Sequence, residues 1–215
     1  MWLLLLTLCV AVFLISVYMY KKNRRIGVVS MYTWATGPKY VIEALVNLNY
    51  DPVVYSIHNT ENIAKIIKDS SIKRWIFTGS KLMVPAKGSA QVPMEIMTYS
   101  DKEFFLICYS MESVLWQMGY KLHERALNRR ENFDLQIDST RLQSRPALMR
   151  NLKNPLHLQR NHRWYLTMDP NQQGVVATYE NETMMFLYKN TVMTQYHPEK
   201  TEDGKRLLLN WIEST

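Results

Sequence analysis

The feature that most constrains this chain is a regular alternation. Short, mostly apolar runs exchange with segments whose apolar residues recur every three or four positions. Residues 26–30 (IGVVS) precede 37–50, in which Val41, Ala44, Leu45 and Leu48 share one helical face. Residues 51–57 (DPVVYSI) precede NTENIAKIIKDS, with Ile63, Ile66 and Ile67 at helical spacing, and then 74–80 (RWIFTGS). Runs of this kind suit strands covered on both sides, so the alternation predicts an α/β fold. Its mostly parallel central sheet carries helices on both faces and right-handed crossovers. Reactive groups in such a sheet gather at the carboxyl ends of the strands.

Residues 103–110 (EFFLICYS) form the most hydrophobic strand candidate beyond residue 25, and 111–120 (MESVLWQMGY) read as a helix behind it. Cys108 therefore falls at a strand-to-helix junction. The last third is β-rich at 174–181, 182–190 and 191–199, with a closing helix at 204–212. With 215 residues the chain has room for one such domain, spanning 26–215, and not for two of full size.

Residues 1–20 contain no charged side chain and would span roughly 30 Å as a helix, the thickness of a bilayer core. Trp2 lies at one end, Tyr18 and Tyr20 at the other, and KKNRR follows at 21–25. A cleaved signal peptide carries its charge before a shorter apolar run, so the pattern predicts one transmembrane anchor and a basic juxtamembrane linker. The positive-inside bias then places 26–215 on the cytoplasmic side of a membrane. Asn181-Glu182-Thr183 is a reporter of that orientation, since a glycan on Asn181 would reverse it. Cys9 reads as a lipid-facing residue of the anchor.

The formal charge is +7, with 26 basic and 19 acidic residues. Without the four basic residues of the linker the balance is 22 against 19, so the basic character is largely local. A second concentration lies at 121–163, where ten Lys or Arg meet four acids. Such a stretch can dock an acidic partner, anionic lipid or nucleic acid, or it can be a solvated, poorly structured connection. The second reading is expected, and without a recognition motif no nucleic acid is expected. Two distant cysteines exclude a disulfide scaffold and a Cys-rich zinc site. His58, His123, His157 and His162 form no metal-ligand pattern and read as surface residues. No phosphate-cradling loop is visible, so neither metal nor cofactor is expected.

A cysteine on a sharp strand-to-helix turn can be exposed at the sheet edge, where the helix N-terminus favours its thiolate. Alone, a cysteine in an apolar segment is more often inert. Tyr196-His197-Pro198-Glu199 supplies the missing groups, because in an extended segment an imidazole and a carboxylate two residues apart point the same way. Glu199 would orient His197, and His197 would exchange a proton with Cys108.

Three stretches in this order resemble the class I, triad-type glutamine amidotransferases, over roughly residues 26–212. They are FTGS at 77–80, LICYSME at 106–112 and TQYHPEKTEDG at 194–204. The resemblance implies a flavodoxin-like fold in which Cys108 attacks the side-chain amide of glutamine, His197 shuttles the proton and Glu199 holds His197. Ammonia leaves and a glutamyl thioester is hydrolysed. The backbone N–H groups of Gly79 and Tyr109 would hold the oxyanion. Glu112 occupies the place of the family's substrate-binding Gln, and Asn161-His162-Arg163-Trp164 is similar to a substrate loop, with Asn161 and Trp164 as candidate contacts. A surface loop is the expected conformation there.

Three departures stand at the elbow: Leu106 and Ser110 replace glycines, and Glu112 replaces Gln. A Cβ at either glycine position predicts crowding. Lys81, where the family often has Pro, is expected to face water. Two alternative readings follow from the departures: a γ-glutamyl peptide or conjugate hydrolase, and an interaction protein with impaired catalysis. Family enzymes usually pass ammonia to a synthase, so a separate ammonia-accepting partner is implied.

Overall fold

The computed structural model describes residues 6–13, 24–33, 38–82, 84 and 89–214. Most of the predicted anchor, at 1–5 and 14–20, and its linker to residue 23 lie outside the described residues. Residues 6–13 are helical with exposed apolar side chains. Among the described residues no helix is long and apolar enough to cross a membrane.

The first half follows the predicted alternation: β1 (Arg25–Ser30), α1 (Lys39–Asn47), β2 (Asp51–Ser56), α2 (Ile63–Asp69), β3 (Arg74–Phe77), β4 (Glu103–Ile107) and α3 (Tyr109–Gln117). Two long strands follow, β5 (Leu122–Leu135) and β6 (Leu156–Leu166), then β7 (Val175–Tyr179), β8 (Glu182–Tyr188), β9 (Thr191–Thr194) and α4 (Glu202–Glu213). Seven strands form one sheet in the order β2-β1-β3-β4-β9-β8-β7. The first five run parallel, and β8 and β7 extend the sheet as an antiparallel edge.

The twofold side-chain period of β4 divides the core. Phe105 and Ile107 point into a cluster with Val41 and Leu45 of α1 and Leu207, Leu208 and Trp211 of α4. Phe104 and Leu106 point into another with Ile63 and Ile67 of α2 and Met111, Val114 and Leu115 of α3. Helices thus cover both faces, and the central strands are buried over nearly their whole length because neither side meets water.

The basic stretch is not a poorly structured connection. It builds an antiparallel ribbon of β5 and β6, interrupted by a register shift between Glu124 and Arg129. Phe133, Leu135, Leu156 and Leu158 pack the ribbon onto the α1/α4 face. Its charge is compensated locally: Arg160, fully buried, contacts Glu131, Glu180 and Glu182 and lies over the Tyr179 and Phe133 rings. Sequence counting missed this because Glu180 and Glu182 come from the β7–β8 hairpin, outside the stretch.

Candidate active site

Strand β4 ends at Ile107 and α3 begins at Tyr109, so the chain reverses within one residue. Cys108 occupies it at φ 50°, ψ −107°, a conformation that costs a non-glycine residue about 1–3 kcal/mol. Its N–H donates to the Thr194 carbonyl at 2.6 Å, fastening the elbow to the end of β9. The predicted crowding is not found. Leu106 is an ordinary buried strand residue registered between Phe77 and Met193, and Ser110 donates its hydroxyl to the Thr78 carbonyl at 2.6 Å.

The parallel pairing of β4 with β9 brings the distant residues together. Ile107 is registered with Thr194, so the residues after each strand leave the same sheet edge side by side. Along Gln195-Tyr196-His197 the side chains alternate: Tyr196 enters the α1/α4 core, while Gln195 and His197 turn to Cys108. The His197 N–H donates to the Gln159 carbonyl of β6 at 2.9 Å, so the ribbon pins this segment. Beyond His197 the chain is not extended, as expected, but forms a short 3₁₀ turn over Pro198–Lys200. Gly204 permits the turn to sit against α4, since a Cβ there would lie 2.4 Å from the Pro198 carbonyl oxygen. The turn delivers Glu199 Oε1 to 2.9 Å from His197 Nδ1.

Both members of this pair are buried. Burial opposes the imidazolium, but Glu199 and then Cys108 outweigh it and hold His197 well above its ordinary pKa. Burial likewise pushes Glu199 up, and His197 more than reverses that effect. Burial first and Glu112 second push the Cys108 thiol up, against opposing pulls from His197 and the Tyr109 backbone N–H. Gly79 closes the group. A Cβ at this position would lie 3.2 Å from His197 Cε1 and 3.6 Å from Cys108 Cβ.

Glu112 and Gln195 form the other side. Gln195 Nε2 donates to Glu112 Oε1 at 2.7 Å and lies 3.7 Å from Cys108 Sγ. Burial lifts the Glu112 carboxyl to about 7, with Gln195 and His197 opposing. Gln195 was not singled out from the sequence, although its spacing of two from His197 was the available signal. Tyr32, just after β1, was also missed. Burial, Cys108 and Glu199 push its hydroxyl up to about 12, which places it beside the same groups.

A cavity of about 410 Å³ opens on Cys108 and is lined by Tyr109, Glu112, Asn128, Asn161, His162 and Trp164, among others. Tyr109, Glu112, Asn161 and Trp164, singled out from the sequence, thus line one cavity with Cys108. Asn161-His162-Arg163-Trp164 is not a loop, however: it belongs to β6, whose alternation turns His162 inward. Asn161 accepts a hydrogen bond from Asn128 at 2.7 Å across the ribbon irregularity. His162, expected at the surface, is buried with Nε2 2.7 Å from Glu182 Oε2. Burial, then Arg160 and His197, lower its pKa to about 3, so the ring is neutral. Lys81 is exposed at the rim of this cavity.

The fold and this constellation define an α/β protein organised around a cysteine elbow. The class-I glutamine amidotransferase family model matches residues 38–213, and the chain belongs to that family. Solved structures with the same fold include a protein described as a candidate GMP synthase subunit from Thermoplasma acidophilum. It is 16% identical with a TM-score of 0.63, over 88% of this chain and 92% of that one. A glutamine amidotransferase from Thermotoga maritima is 14% identical with a TM-score of 0.62, over 88% and 81% of the two chains. PurLQS from Thermotoga maritima is 13% identical with a TM-score of 0.57, over 88% and 98%. No curated protein matches the chain.

Proposed function

We propose that this chain hydrolyses the side-chain amide of glutamine with Cys108 as nucleophile, His197 as proton carrier and Glu199 as its anchor. The thiol gives its proton to Nε2 of the neutral His197 ring as sulfur bonds to the carboxamide carbon, and Glu199 stabilises the imidazolium that forms. The resulting oxyanion accepts from the N–H groups of Gly79 and Tyr109, an interaction of about 3 kcal/mol per donor. The C–N bond then breaks, and His197 returns the proton to the departing ammonia. A γ-glutamyl thioester remains; His197 takes a proton from water, which attacks the acyl carbon and releases glutamate and the thiol. Asn161 and Trp164, which line the cavity, contact the substrate. No metal or other cofactor enters these steps.

The observation that carries this reading is the β4–β9 register, which sets a strained cysteine beside a buried His197–Glu199 pair. The test is release of glutamate and ammonia from glutamine, abolished in Cys108→Ala. No activity above that variant refutes the proposal.

A second reading, an amidotransferase-like interaction protein with impaired catalysis, is favoured by the upward push on the Cys108 thiol from burial and Glu112. Rapid, selective labelling of Cys108 by a thiol-directed glutamine analogue at neutral pH excludes it. A γ-glutamyl conjugate as substrate is separated from glutamine by comparing the two classes of amide.

We further infer that residues 1–20 anchor the chain in a membrane with 26–215 on the cytoplasmic side, and that ammonia passes to a separate synthase. The uncharged run and the KKNRR that follows it support the anchor. Asn181 is exposed in the β7–β8 turn, so its sequon is an accessible reporter. Glycosylation there on membrane insertion overturns the orientation.

A further inference from the structure

Glu112 lines the cavity, yet its side chain is committed elsewhere. Among the described residues its hydrogen-bond partner is the Gln195 amide rather than a cation. The same amide nitrogen lies 3.7 Å from the Cys108 sulfur, so one Gln195 group bridges carboxyl and thiol. The Glu112 N–H donates to the Cys108 carbonyl at 3.0 Å, closing the first turn of α3. Thiol and carboxyl therefore stand one helical turn apart at a single helix N-terminus, whose positive end favours an anion on either. Two acids that share one such site ionise at each other's expense.

We propose that Glu112 is a positioning residue acting on the nucleophile rather than on the substrate: it holds Gln195 and restrains ionisation of Cys108. This rests on reading Cys108 as the nucleophile. Other groups that face the pair are Tyr32 from the end of β1, Lys81 after β3, Tyr109 on α3 itself, His162 and Arg163 from β6, and His197 and Glu199 after β9. Of these, His197 is the counterweight, since it draws both Cys108 and Glu112 toward their anions. As pH rises through about 7 the Glu112 carboxyl gains its charge, and the thiolate becomes harder to form.

The experiment is a pH titration of Cys108 in the full chain. Thiolate ultraviolet absorbance is read against a Cys108→Ser control, and the alkylation rate is measured with iodoacetamide, a small neutral probe. In Glu112→Gln the Cys108 midpoint falls by about one pH unit, and alkylation near neutral pH is about tenfold faster. Glu112→Asp, which keeps the charge, stays with the parent. In the unaltered chain, log rate rises with less than unit slope where Glu112 ionises. A Glu112→Gln midpoint that is unchanged or higher overturns the proposal, as does unit slope throughout that window in the parent. Neither readout uses glutamine, so a chain without glutaminase activity still decides the role of Glu112.

Discussion

Replacing Glu112 with Gln should change the pH dependence of stability in a direction the structure dictates. The carboxyl is buried, and its pKa rises from an ordinary 4.5 to about 7. Because the folded-state value lies above the unfolded one, the native chain holds this proton more tightly. The associated stability is fully present below about pH 4.5 and is lost as pH rises through about 7. The interval corresponds to about 3 kcal/mol. An amide at position 112 never ionises, so Glu112→Gln escapes the loss. Denaturant unfolding of both proteins, followed by Trp fluorescence from about pH 4.5 to 8, should show the variant gaining about 3 kcal/mol on the parent across the range. Titrating groups that do not interact with Glu112 behave alike in both proteins and cancel in the difference. A difference that stays constant with pH refutes the argument, because a purely steric effect of the substitution would not track ionisation.

Three more outcomes follow from contacts in the same centre. Glu199→Gln removes one charge of a buried pair 2.9 Å apart, a loss of about 3–5 kcal/mol if felt fully in the transition state. Glutamine hydrolysis should fall by about 10²- to 10⁴-fold, and a loss below about tenfold contradicts the role given to Glu199. Gly79→Ala places a Cβ 3.2 Å from His197 Cε1 and displaces the ring slightly. Turnover should drop roughly tenfold with little change in melting temperature, so intact turnover argues against this placement. Ser110→Ala leaves the buried Thr78 carbonyl without the hydroxyl that donates to it at 2.6 Å. Unfolding measurements should register a cost of about 1 kcal/mol, and an unaltered stability counts against the bond.

The α/β alternation was legible because each of the first three strands is short and followed by its own punctuation; in β1 and β3 local pattern and final burial agree, whereas β2 lies at the sheet edge and stays partly exposed. Cys108 was legible for the same reason, as its junction lies inside one continuous stretch. The ribbon was not. Ten basic residues between 121 and 163 look solvated in isolation, and only the β7–β8 hairpin supplies Glu180 and Glu182 to accept Arg160. His162 was misplaced for a related reason. Its inward turn follows from β6 pairing with β5, and its buried partner Glu182 lies 20 residues later.

By itself, the order of amino acids determined the type of fold, the elbow cysteine and the chemical kinds of group available to it, because strand and helix periods and turn residues act over short spans. Tertiary structure alone decided how the segments after β4 and β9 lie together and that the segment after His197 forms a turn. It also decided that Glu112 faces Gln195 and the sulfur rather than open solvent. Those outcomes depend on strand register and on burial of charge, both set by contacts between segments far apart in the chain.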